Sequence, residues 1–227
     1  MSAVGSAFRR TVFYLHGFVS SPRSTKVRYF TQMLAAQDID VRSPDFNEPE
    51  FRTMTMTRML EQLDAQLSAA PGPAMLIGSS LGGTLAILAA ARFGARVDRL
   101  VLLAPAVRFG DPDHHLLPRE EIARWKERGE YEFLHYGHGQ GPTMRLPLSY
   151  AFYEDSLKYD AFGTLFPQPT LIFQGTRDAL VNFHDVERFA TSSPGRPNVT
   201  LTLLDDDHQL LSSLPRIWKD VEPFVAW

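Results

Sequence analysis

Ala74-Met75-Leu76-Ile77-Gly78-Ser79-Ser80-Leu81-Gly82-Gly83 is the stretch on which the fold turns. Ala74 to Ile77 is a short apolar run of the kind that fills a buried strand, and Gly78 to Gly83 is a tight turn. Thr84 to Arg92 continues as an alanine-rich helix that Gly94 can cap. A buried strand that passes sharply through glycines into a helix is the repeating unit of an α/β protein.

The same alternation extends in both directions. Upstream, Thr11 to Leu15 and Asp38 to Ser43 read as strands, with helical spacing over Lys26 to Gln37 and Thr53 to Ala70. In the second of these helices Met56, Met59, Leu60, Leu63 and Leu67 fall on one face, the pattern of a core stripe. Downstream, Val97 to Ala104, Thr170 to Gln174 and Val199 to Leu204 are further strands, with helices near His184 to Ala190 and Leu210 to Val225. Strands separated by helical segments must be joined by crossovers, so about six strands are expected to run parallel with helices on both faces.

Ala106 to Phe166 breaks this rhythm. At about 60 residues it is too long for a crossover. Arg119 to Leu134 is charged and helical in spacing, and Ser149 to Phe162 carries Tyr150, Phe152, Tyr153, Tyr159 and Phe162, with no clear strand between. Inserted after the C-terminal end of a strand, where open α/β sheets bind ligands, it reads as a small helical cap within one domain spanning residues 1–227. Tyr150, Phe152 and Tyr153 are then candidates for contacting an apolar substrate; the alternative is that they pack the cap onto the sheet.

Gly78-Ser79-Ser80-Leu81-Gly82 fits G-x-S-x-G in the strand–turn–helix setting that lifts a serine hydroxyl clear of a sheet, which makes Ser80 the candidate nucleophile. A serine hydroxyl needs a base, and the base needs a group that fixes its tautomer. Asp178 lies four residues past Gln174 and His208 four residues past Leu204, so both fall in loops at strand ends, in the order acid then histidine. Asp205, Asp206 and Asp207 are alternative acids, and His184 is an alternative base. The main-chain N–H groups of Phe18 and Leu81 would form an oxyanion hole, with His16 holding the loop and Ser24 capping the next helix. His135 and His138 have a metal-like spacing, but glycines at 137 and 139 disfavour the helix it needs, so no metal is expected.

Composition narrows the chemistry from the other side. The chain has 227 residues, a net charge of −3 and no cysteine, which excludes disulfides, thiolate metal sites and a cysteine nucleophile. Lys and Arg are scattered, leaving no electrostatic footprint for nucleic acid. The apolar run Val12 to Leu15 is too short for a signal peptide or a membrane span, so a cytoplasmic location is expected.

Tyr14-Leu15-His16-Gly17-Phe18 with the serine-rich loop after it, Ile77 to Gly83, Gln174-Gly175-Thr176-Arg177-Asp178 and Asp207-His208 together resemble the α/β-hydrolase superfamily, and within it the small bacterial esterases of the YqiA/YcfP type. The resemblance covers almost the whole chain. It implies a three-layer α/β-hydrolase fold and a cofactor-free carboxylic ester hydrolase with Ser80, Asp178 and His208 as its triad and a small acyl ester as substrate. Asp207 stands where the family usually has glycine, and the sheet is expected to be a trimmed form of the eight-stranded one. A thioesterase using the same three residues is the nearest alternative, and a non-catalytic scaffold binding an acyl ligand or a partner is another.

Overall fold

The computed structural model describes residues 10–114, 116–136, 143–191 and 198–226. Six strands form one parallel sheet: β1 (Thr11–Leu15), β2 (Asp40–Arg42), β3 (Ala74–Ser79), β4 (Val97–Leu103), β7 (Thr170–Gly175) and β8 (Val199–Leu204). Their order across the sheet is β2-β1-β3-β4-β7-β8. The chain first steps outward from β1 to β2 and then returns to the other side of β1, pairing Thr11 with Ala74 and Leu15 with Gly78. That reversal sets the loops after β1 and β3 side by side at the carboxyl edge, where a parallel sheet opens a crevice.

Alternate residues of the inner strands enter different cores, which is why these strands read as apolar runs. Phe13, Leu15, Leu76, Leu100 and Leu102 pack with α2 (Met56–Ser68), α3 (Leu81–Phe93) and α6 (Phe183–Thr191), through Met59, Leu60, Leu63, Leu85 and Phe189. Val12, Tyr14, Met75, Ile77 and Val101 pack on the opposite face with α1 (Thr25–Ala35) and α7 (Leu214–Val225), through Phe30, Leu34, Ile217 and Trp218. Ser24 caps α1 by accepting from the Val27 N–H. No helix among the described residues is long and apolar enough to cross a membrane.

Residues 106–166 differ from expectation. Two helices are present, α4 (Arg119–Arg128) and α5 (Ala151–Ser156), but between them lies an antiparallel hairpin of β5 (Glu130–His135) and β6 (Met144–Ser149). Gly129, at φ 75°, ends α4 in the left-handed conformation that favours glycine and turns the chain directly into β5. The hairpin escapes a pattern search because charged Glu130 and Glu132 interrupt one strand and Pro147 sits in the other. Asp155 docks the segment on the sheet helices: its carboxylate accepts from the Thr57 N–H and hydroxyl, both at 2.7 Å, at the positive end of α2.

Candidate active site

Ser80 stands between the last residue of β3 and the first of α3, with φ 53° and ψ −116°. A non-glycine residue with positive φ is strained and persists only where its surroundings hold it. Here its N–H donates to the Leu103 carbonyl at 3.0 Å, and its own carbonyl accepts from Gly83, Thr84 and Ala106. The turn leaves no room for side chains, since a Cβ on Gly82 would run into the Leu15 carbonyl oxygen. Leu81 follows as the first residue of α3, whose leading N–H groups have no carbonyl within the helix. The structure starts α3 at Leu81, with Gly82 and Gly83 inside its first turn.

Asp178 and His208 meet as their loops allow. Asp178 Oδ2 lies 2.8 Å from His208 Nδ1, and the Asp178 side chain is wholly buried while that of His208 is 12% exposed. The carboxylate also accepts from the N–H groups of Leu180 and Val181 and from Gln174 Nε2. Burial pushes the Asp178 carboxyl up, but the His208 hydrogen bond and the Val181 and Leu180 amides outweigh it and hold it below the usual carboxylate range. A carboxylate on Nδ1 leaves Nε2 as the ring nitrogen free to work as a base.

Ser80, His208, Leu81 and Phe18 all line one cleft of about 850 Å³, whose other walls include Val107, Phe109 and Leu117. A cavity of this size and predominantly apolar wall suits a small organic ligand. Among the described residues His208 hydrogen-bonds to Asp178, and a serine–histidine bond commonly tightens only when substrate arrives. Phe18 sits in the loop after β1, adjacent to the elbow because β1 and β3 are neighbours. His16 braces that loop from beneath: Nε2 accepts from the Phe46 N–H at 3.1 Å, which leaves Nδ1 to donate to the Gly17 carbonyl at 2.9 Å.

The alternative acids and bases are occupied elsewhere. Asp205 pairs with Arg177 at 2.8 Å, Asp206 accepts from the Ser212 hydroxyl and Ser213 N–H, and Asp207 accepts from the Gln209 N–H. His184 pairs with Glu187 on the exposed side of α6. His135 faces Asn47 on the hairpin, and His115 and His138 lie outside the described residues. No group of three or more metal-binding side chains occurs among the described residues.

Tyr150, Phe152 and Tyr153, expected to contact substrate, are not part of the cleft wall. They pack around Trp125, with ring centroids 5.8, 6.5 and 6.2 Å from its ring, and Trp125 Nε1 donates to the Leu148 carbonyl at 2.8 Å. The aromatic richness of this segment therefore serves its own small core. Conversely, Lys26 carries no signal in the sequence, yet it lines the cleft while being only 8% exposed. Burial pushes its ammonium down to about 8 against the pull of Asp178, Asp207 and Asp206. Nothing in the residue pattern around Lys26 announces this, because the acidic loops that enclose it come from the far end of the chain.

Comparisons with known proteins agree with this architecture. A protein in the same fold from Agrobacterium vitis S4, provisionally named a hydrolase, is 26% identical and superposes with a TM-score of 0.78 over 96% of this chain and 88% of its own. Alpha/beta hydrolase domain-containing protein 10 from mouse is 19% identical, with a TM-score of 0.76 over 95% and 89% of the two chains. Est1E from Butyrivibrio proteoclasticus is 17% identical, with a TM-score of 0.73 over 96% and 88%. No curated protein sequence matches the chain. The model of an uncharacterised protein family, UPF0227, matches residues 11–219. The chain accordingly belongs to the UPF0227 family and has the α/β-hydrolase fold.

Proposed function

We propose that the protein is a serine hydrolase that cleaves carboxylic acyl esters, with residues 106–166 forming a cap over its cleft. The observation that carries this reading is the buried Asp178 carboxylate on His208 Nδ1, opening onto the same cleft as a strained serine at a helix N-terminus. In this mechanism His208 Nε2 takes the proton from the Ser80 hydroxyl as the oxygen attacks the substrate carbonyl. Asp178 orients the ring and stabilises its charged form. The negative charge that develops on the carbonyl oxygen is met by the N–H groups of Phe18 and Leu81, each such donor contributing roughly 3 kcal/mol to transition-state stabilisation. His208 then protonates the departing alcohol, and a water activated by the same ring releases the acid from Ser80. This chemistry calls for no cofactor, and the apolar cleft wall supports a small acyl ester as the ligand.

The test is turnover of a p-nitrophenyl acyl ester series by the native protein and by Ser80→Ala, with matched thiol esters alongside. Turnover lost in Ser80→Ala, together with fluorophosphonate labelling of the native protein alone, is the expected result. Equal rates for the two proteins would overturn the assignment, and a strong preference for thiol esters would move it to a thioesterase.

A further inference from the structure

The two amides proposed to receive the oxyanion are held very differently. Leu81 is fixed by α3, whereas Phe18 lies in an irregular stretch between β1 and α1. The residue after it, Val19, has φ 50°, a conformation that a β-branched side chain adopts only when something external holds it. Several groups do so, and most of them come from the segment between β4 and β7. The Tyr136 N–H, just past β5, donates to the Val19 carbonyl at 3.1 Å. Asn47, in the turn after β2, donates from Nδ2 to the Ser20 carbonyl at 2.9 Å and to Asp45 Oδ1 at 2.7 Å, while its Oδ1 lies 3.2 Å from His135 Nε2 on β5. The Phe18 ring is enclosed by Phe133 of β5 at 4.9 Å, Phe152 of α5 at 5.4 Å and Phe51 at 5.9 Å.

We infer that the β5–β6 hairpin, coupled through Asn47, is a brace that sets the position of the Phe18 N–H, so that this segment acts on the reaction as well as enclosing the ligand. Asn47 is a positioning residue in this arrangement: it touches the loop and the hairpin but does not line the cleft. The inference rests on the serine-hydrolase reading for its catalytic consequence and on geometry alone for its structural one. It explains why the strained Val19 is tolerated, since hydrogen bonds and ring contacts from two directions fix the three residues that carry the amide.

Asn47→Ala removes the shared link, and His135→Ala removes its hairpin end together with a ring contact to Phe51 at 5.2 Å. Two measurements decide the matter: ester turnover, and amide hydrogen exchange across residues 17–20 compared with the β3 amides. The expected result for Asn47→Ala is faster exchange in 17–20 with β3 unchanged, and kcat lowered by roughly tenfold or more while KM stays within about twofold, the signature of an interaction made in the transition state. His135→Ala should show the same pattern more weakly, and the double variant should fall short of the sum of the two single effects. Unchanged exchange in the loop of both variants would overturn the brace, as would faster exchange accompanied by native kcat. If Asn47→Ala loosens the whole molecule, the milder His135→Ala carries the decision by the same two criteria. Failure of the serine-hydrolase reading is recognisable separately, because it appears as native turnover in Ser80→Ala and leaves the exchange result standing.

Discussion

The strand ends that form the floor of the cleft and the segment between β4 and β7, its proposed roof, are built from different materials. On the floor, strand ends are pinned by main-chain hydrogen bonds: Ser80 to Leu103, Ala106 to Ser80, Thr176 to Leu204 and Arg177 to the Asp206 carbonyl. The roof is held by rings, with Trp125 touching Tyr131, Phe133, Tyr150, Phe152 and Tyr153. A floor of this kind fixes atoms closely and tolerates little change in side-chain volume at its turns. A ring-packed roof tolerates exchange of one apolar group for another but depends on total buried area. Substitutions on the floor should therefore register as lost chemistry, and substitutions in the roof as lost stability.

The largest effect expected is at Asp178. Asp178→Asn should keep the fold by circular dichroism while lowering kcat by roughly four orders of magnitude, as loss of the orienting carboxylate does in serine proteases. A fall below about tenfold would show that the Asp178–His208 pair is only structural. Next comes Trp125→Ala, which should cost about 3–5 kcal/mol in urea denaturation, the usual penalty for removing a large buried aromatic. Stability within about 1 kcal/mol of the native protein would deny the rings their role.

Lys26 is the exception to this contrast: it lines the cleft from a helix rather than a strand end, and its burial is unfavourable. It stands in the first turn of α1, the wrong end of a helix dipole for a cation. Below about pH 8 the ammonium is charged in both the folded and unfolded chain, and the penalty is fully present. Between about 8 and the ordinary 10.5 the folded form gives up its proton first, so this contribution to stability rises with pH across that window. Lys26→Met should accordingly be more stable than the native protein by about 1–3 kcal/mol at pH 7, a gain that denaturation curves should show fading toward pH 10. The smallest effect belongs to the tyrosines of the roof segment that are not part of the cleft wall. Tyr150→Phe and Tyr153→Phe should change kcat/KM by less than about twofold, and a large rise in KM would return them to the ligand.

The same division governs how much of the molecule is legible in its amino-acid sequence. Strands buried on both faces announce themselves as apolar runs, and the bounds that pattern predicts for Thr11–Leu15 are those of β1. The turn at Ser80 and the meeting of Asp178 with His208 are legible because loop placement at strand ends is local: glycines, a serine, and fixed offsets from Gln174 and Leu204. Where boundaries shift, a backbone conformation is responsible. The last helix starts at Leu214, four residues later than the pattern indicates, because Leu210 has φ 55° and cannot be helical. The roof is least legible. Whether a tyrosine faces a ligand or a tryptophan depends on contacts between segments far apart in the chain, and neither hydrophobic period nor composition encodes that. Lys26 is hidden for the same reason.

The backbone of Ser80 also separates the requirements of working from those of enduring. At φ 53° glycine would sit without strain, whereas serine does not. Ser80→Gly thus removes the hydroxyl and relaxes the elbow in one step, and on the proposed mechanism it should give a protein without turnover that melts at a higher temperature than the native one. Such a variant is a sturdier vessel for trapping an uncleaved ligand than Ser80→Ala, which keeps the strain after the reason for it has gone.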